Sequence, residues 1–106
     1  MKELDATEVA ARLAADDGAA VLLDVREAWE LDVASVAGAV HIPMNSVPSR
    51  VRELDPGKPL IVMCHHGARS RQVAQWLTGQ GFSDIANFDG GIDAWSRLID
   101  ASIPRY

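Results

Sequence analysis

Hydrophobic positions along this chain follow two spacings, and the two alternate from one end to the other. Val9 and Leu13 recur four apart among alanines, after an Asp5-Ala6-Thr7-Glu8 stretch with the spacing of a capping box. An amphipathic helix is predicted there, stopped by Asp16-Asp17-Gly18. Ala20 to Val25 is instead a short, nearly continuous apolar run, the pattern of a strand covered on both faces. Glu27 to Leu31 allows one or two helical turns, and Ala39 to Ile42 reads as a second strand ended by Pro43. Val47, Val51 and Leu54, spaced four and three apart, predict a helix over Ser46 to Leu54 before the Asp55-Pro56-Gly57 turn. Leu60-Ile61-Val62-Met63 is the most apolar run and is predicted as the central strand. Beyond it, Val73 and Leu77 place a helix over Arg71 to Thr78, closed by Gly79 and Gly81. Ile85 to Phe88 is the last strand predicted, Asp89-Gly90-Gly91 a turn, and Ile92, Trp95, Leu98 and Ile99 the buried face of a final helix. Trp76 and Trp95 are expected in the core and Trp29 partly exposed.

Strands alternating with helices at these intervals predict parallel βα units. The fold class is therefore α/β, a parallel sheet of about five short strands flanked by helices on both faces. With 106 residues and no internal repeat, the chain is expected to form a single domain over residues 1 to 106. A composition 48% hydrophobic and 24% charged is that of an ordinary globular domain and excludes a disordered or fibrous chain. No apolar run approaches the ~20 residues that span a bilayer. Met1-Lys2-Glu3-Leu4-Asp5 is too acidic to open a secretory signal, so a cytoplasmic location is expected.

Charge narrows the possible partners. A net charge of -5 disfavours nucleic acid and anionic membrane surfaces, and neither is expected to bind. The distribution is uneven: residues 1 to 32 hold nine acids against three bases, whereas Pro56 to Ser83 contains Lys58, His65, His66, Arg69 and Arg71 and no Asp or Glu. Within that basic stretch lies Cys64, the only cysteine, which has no disulfide partner in the chain.

Cys64 stands between the most apolar strand and a helix. In an open parallel sheet, ligands bind at such junctions, because unpaired amides and the positive end of a helix dipole favour an anion there. A lone cysteine is commonly a small buried hydrophobe. Here the context is rich in anion-binding groups and poor in apolar partners, which favours a nucleophile. Cys64 is the candidate catalytic residue, and His65, His66, Gly67, Ala68, Arg69 and Ser70 form the candidate substrate-binding loop. Arg69 offers a planar fork for loop carbonyls or a carboxylate as well as positive potential. His65 and His66 are candidates to face an anionic donor. Asp24 and Arg26, at the end of a strand, are supporting residues that close a turn as a pair. Three consecutive residues on a tight loop cannot readily aim at one ion, so no metal is expected at Cys64-His65-His66.

Four blocks, in this order, resemble the rhodanese-like sulfurtransferase family: Leu23-Asp24-Val25-Arg26-Glu27, Gly38-Ala39-Val40-His41-Ile42-Pro43, Cys64-His65-His66-Gly67-Ala68-Arg69-Ser70 and Phe88-Asp89-Gly90-Gly91-Ile92-Asp93-Ala94-Trp95. The resemblance implies that Cys64 accepts a sulfane sulfur, holds it as a persulfide and passes it to a thiophilic acceptor, with no metal or organic cofactor. It implies a small anionic donor such as thiosulfate, or a protein persulfide, and as acceptor a thiol, cyanide or a carrier protein. Two other classes use similar parts. One is a cysteine phosphatase or arsenate reductase, with Cys and Arg around an anion cradle; the other is a binding module that does not turn over. Four residues separate Cys64 from Arg69, one fewer than in the cysteine phosphatases, and the shorter ring is expected to suit a terminal sulfur rather than a phosphoryl group.

Overall fold

Each strand gives way to a helix or turn that carries the chain back to the same edge of the sheet, and so all strands run parallel. In the computed structural model, which describes residues 1–15 and 18–106, the elements are β1 (Lys2–Leu4), α1 (Ala6–Leu13), β2 (Val21–Asp24), α2 (Ala28–Val33), β3 (Val40–His41), α3 (Val47–Arg50), β4 (Leu60–Met63), α4 (Ala68–Thr78), β5 (Ile85–Phe88) and α5 (Gly91–Leu98). They form one five-stranded sheet in the order β1-β5-β4-β2-β3, with β4 at its centre as its composition predicted. Alternate residues of β4 serve opposite faces. Leu60, Val62 and Cys64 join a core with Val47, Val73, Leu77 and Phe82 under α3 and α4, while Ile61 and Met63 join Ala6, Val9, Phe88 and Ile92 under α1 and α5. Helices thus cover both faces of the sheet. No helix among the described residues is long and apolar enough to cross a membrane.

The start of α1 follows the sequence closely. Asp5 accepts from the Glu8 amide at 2.9 Å and Glu8 accepts from the Asp5 amide at 3.1 Å, closing the predicted capping box. The predicted stop at Asp16-Asp17 lies outside the described residues. Other elements depart from the periodicity. β1 has no sequence signature, because Lys2 and Glu3 are exposed and Leu4 alone is buried; pairing with β5, Leu4 opposite Phe88, makes it a strand. The segment expected as one helix over Ser46 to Leu54 winds as separate short turns, since Arg50 at φ -115° and ψ 12° leaves α geometry. It still delivers Val47, Val51 and Leu54 to the core.

Three apolar side chains are misplaced by periodicity. Trp76, expected in the core, is 37% exposed, and Leu98 and Ile99, expected on the buried face of α5, are 63% and 39% exposed. Helix α5 buries Ile92 and Ala94 in the core with Trp95 packed against it, and turns Ser96 onto the Ile103 carbonyl, which leaves Leu98 outside. Helix α4 begins at Ala68 rather than Arg71, with Gly67 as its cap at φ +118°. Its first turn holds Arg69, Ser70 and Arg71, polar residues fixed by tertiary partners that a hydrophobic period does not register.

Candidate active site

The strand order reverses direction between β2 and β4, because β2 is followed by its outer neighbour β3 and the chain then crosses back to β4. The crevice beyond the C-terminal ends of strands at such a switch point is where open α/β sheets bind ligands. Cys64 and the Asp24–Arg26 pair emerge there, on the two adjacent strands.

The loop after β4 is held from behind. The amides of Ile92, Asp93 and Gly90 donate to the carbonyls of Cys64, His65 and His66 at 3.0, 3.1 and 3.0 Å, and Asn87 Nδ2 donates to the Gly67 carbonyl at 3.2 Å. In a trans peptide the C=O and the following N–H point opposite ways, so drawing these carbonyls back toward α5 turns the amides of residues 65 to 67 toward the sulfur side. The Gly67 amide completes that geometry, donating to Cys64 Sγ at 3.1 Å. The thiol itself is buried, 1% exposed, at the N-terminus of α4.

This arrangement depends on Gly91. Its φ is +56°, and a Cβ there would overlap Cys64 O and stand 2.5 Å from His65 O. The Gly90-Gly91 pair, expected simply to turn the chain, therefore also sets how closely the loop packs on α5. Ser70 is fully buried, and its hydroxyl donates to Asn87 Oδ1, so it ties α4 to β5 instead of lining the loop's open side. Asn87 is itself buried and reaches Glu3 Oε1 at 2.9 Å.

Arg69 turns its fork away from the loop onto Glu30 of α2, at 2.6 Å (Nη1–Oε1) and 2.9 Å (Nη2–Oε2). The carboxylate also accepts from the Glu27 amide at 3.0 Å and the Tyr106 hydroxyl at 2.7 Å. Arg26, fully buried, is bidentate to Asp24 and donates to the Ala34 carbonyl at 2.8 Å and to Tyr106 Oη at 2.8 Å. Asp24, Arg26, Tyr106, Glu30 and Arg69 form one continuous chain of hydrogen bonds under the loop. The Arg69 fork holds the Glu30 carboxyl down at about 2, and burial, the opposing influence, is outweighed.

That depression carries a stability prediction. A carboxyl whose folded value lies below its unfolded value near 4.5 contributes stability above that value, and the contribution is lost as pH falls toward about 2. With the Arg69 end partly exposed, it is worth on the order of 2 to 3 kcal/mol. Denaturant unfolding of the parent is expected to weaken over this window, and Glu30→Gln to show a flatter acid dependence from a lower starting stability. An unchanged slope in the variant removes Glu30 as the source.

The His65 ring lies between two others, stacked on Tyr106 at 3.9 Å and 3° and tilted against His66 at 3.9 Å and 32°. Its Nε2 is buried without a hydrogen-bond partner, and burial, reinforced by His66, lowers its pKa, so near neutral pH it is uncharged. His66 is exposed. Among the described residues, His65, His66 and Asp93 are the group whose ligand atoms lie close enough, within 4.8 Å of one another, to hold a metal. Asp93 is already engaged by Arg97 at 3.2 Å and Arg105 at 3.0 Å, and the facing imidazoles direct their lone pairs alongside each other instead of toward a common point. The donors do not fit a resident ion.

The geometry is that of a cysteine at the amide focus of a βα loop, and the chain belongs to the rhodanese-like domain family, whose profile matches residues 5–98. It is 42% identical over 76 residues to the thiosulfate sulfurtransferase GlpE of Pseudomonas syringae pv. syringae strain B728a, covering 72% of each chain. It is 43% identical over 91 residues to the chloroplastic rhodanese-like/PpiC domain-containing protein 12 of Arabidopsis thaliana, covering 82% of this chain but 30% of that longer protein. The crystal structure of a rhodanese-related protein from Thermoplasma volcanium superposes with a TM-score of 0.80 at 30% identity, over 92% of both chains.

The loop residues and the Asp24–Arg26 pair were visible as candidates in the sequence. Glu30, Asn87 and Tyr106 were not. Glu30 is one of nine acids in the first 32 residues, and no local pattern separates it from the others.

Proposed function

We propose that this chain is a rhodanese-type sulfurtransferase in which Cys64 carries the sulfur. The Cys64 thiolate attacks the outer sulfur of a small anionic donor such as thiosulfate; the S–S bond to the sulfonate breaks and sulfite leaves with the bonding pair. The resulting Cys64 persulfide is attacked at its terminal sulfur by a thiophilic acceptor, cyanide in a test tube or a thiol or protein in the cell, and the Cys64 thiolate is regenerated. The Gly67 amide, which already donates to Cys64 Sγ, stabilises the anionic persulfide without reorganising. The cytoplasm, where thiols are plentiful, fits this chemistry.

The observation that carries the reading is the pairing of an amide-cradled sulfur with an Arg69 fork committed to Glu30. Arg71 is likewise engaged, by Glu3 at 3.2 Å and Asp89 at 3.5 Å. A phosphatase needs a guanidinium to clamp phosphoryl oxygens, and the loop's two are in use elsewhere. Intact-mass analysis after thiosulfate treatment is expected to show one added sulfur atom on the parent and none on Cys64→Ser. Cys64-dependent hydrolysis of p-nitrophenyl phosphate, with no sulfur uptake, would overturn the assignment.

A further inference from the structure

Tyr106 meets Arg26, Glu30 and His65, three residues around the Cys64 loop, although it lies beyond residues 5–98, the segment that matches the family. Its hydroxyl has one proton and two partners: it donates to Glu30 Oε2 at 2.7 Å and accepts from Arg26 Nη1 at 2.8 Å. Its ring lies flat on His65, the residue after Cys64, at 3.9 Å. Trp29 of α2 meets the ring edge-on at 6.2 Å, and the Arg26 guanidinium stands 5.8 Å from its centroid. The approach is anchored along α5, where Ser96 donates to the Ile103 carbonyl and Arg105 pairs with Asp93 at 3.0 Å. We propose that Tyr106 is a positioning residue for the Cys64 loop, its hydroxyl orienting the Glu30 carboxylate that holds Arg69 and its ring fixing His65.

The chemistry of each contact fits that role. Burial, with Glu30 facing it, pushes the phenol up to about 12, so the hydroxyl keeps its proton and donates to the carboxylate. Tyr106 and the Glu27 amide together set the plane of the carboxylate that the Arg69 fork must match. On the other side, the Asp93 amide holds the His65 carbonyl while the Tyr106 ring holds the His65 imidazole. Both ends of the residue next to the nucleophile are thereby fixed. Catalytic geometry held only by surface loops is looser than geometry supported by such partners.

This inference rests on Cys64 as the reacting group, and two readouts separate it from the sulfurtransferase reading. The first is the rate at which iodoacetamide alkylates Cys64 in the folded protein, which needs no sulfur chemistry. The second is kcat and KM for transfer from thiosulfate to cyanide. Both are measured at a temperature well below the thermal midpoints of the variants. Tyr106→Leu, which removes hydroxyl and stack, is expected to slow alkylation about two- to tenfold, the equivalent of one lost hydrogen bond, and to raise KM for thiosulfate. Tyr106→Phe keeps the stack, so KM is expected to return to the parental value while alkylation stays slower than in the parent. The proposal is overturned if Tyr106→Leu alkylates and binds like the parent, or if both variants lose activity alike and only in proportion to their lowered midpoints. If alkylation splits as expected but the parent transfers no sulfur, the positioning role stands and the sulfurtransferase assignment falls.

Discussion

Cys64→Ser is expected to abolish sulfur transfer, a fall on the order of 10⁴-fold or more, while the protein unfolds within about 1 kcal/mol of the parent. The two halves of this result have different origins. The Ser hydroxyl occupies nearly the same buried volume as the thiol and can accept from the Gly67 amide that now reaches Sγ at 3.1 Å, so packing and hydrogen bonding survive. Transfer does not survive, because a hydroxyl is not ionised near neutral pH and an alkoxide makes no stable bond to sulfane sulfur. Steady-state assays with thiosulfate and cyanide, alongside urea unfolding of both proteins, check the pair of outcomes. Residual transfer in Cys64→Ser at more than a few per cent would mean that another group takes the sulfur.

Gly91→Ala is expected to produce the second-largest loss, and here stability and activity fall together. At φ +56° any L side chain is strained by roughly 1 kcal/mol. A Cβ at this position also collides with the carbonyls of Cys64 and His65, so either the loop or the start of α5 must move, at a further cost of about 1–3 kcal/mol. Movement there disturbs the Ile92 and Asp93 amides that hold the loop's carbonyls, and with them the amide focus on the sulfur. Gly18→Ala is the matched control, since Gly18 has nearly the same angle, φ +58°, and a Cβ there meets nothing within 4 Å. It is expected to show the strain alone and to transfer sulfur normally. Equal losses in the two variants would mean that the close approach of loop and helix is not what position 91 protects.

The contrast between those two glycines shows where reading the chain succeeds and where it stops. Both look alike in sequence, within two residues of an Asp in a turn-forming stretch. One faces open space and the other lies against the backbone that carries the candidate nucleophile. Conformational need is local and can be inferred from residue type, but steric neighbours come from whatever element the fold brings alongside. The same limit applies to Arg69. A fork near the loop that binds loop carbonyls or a carboxylate was legible; that the carboxylate is Glu30, thirty-nine residues earlier, was not.

By itself the sequence determined the class of fold, the central place of Leu60–Met63, the capped start of α1 and the position of Cys64 between a strand and a helix, because these depend on hydrophobic periodicity and short-range hydrogen bonding. Tertiary structure alone decided the edge strand β1, the exposure of Trp76 and Leu98, the early start of α4 and the hydrogen-bonded chain from Asp24 through Tyr106 to Arg69. Each of these joins residues far apart in the chain whose side chains carry no mutual signal. A buried guanidinium or carboxylate must find a partner wherever the sheet and helices place one, and only the assembled fold determines which residue that is.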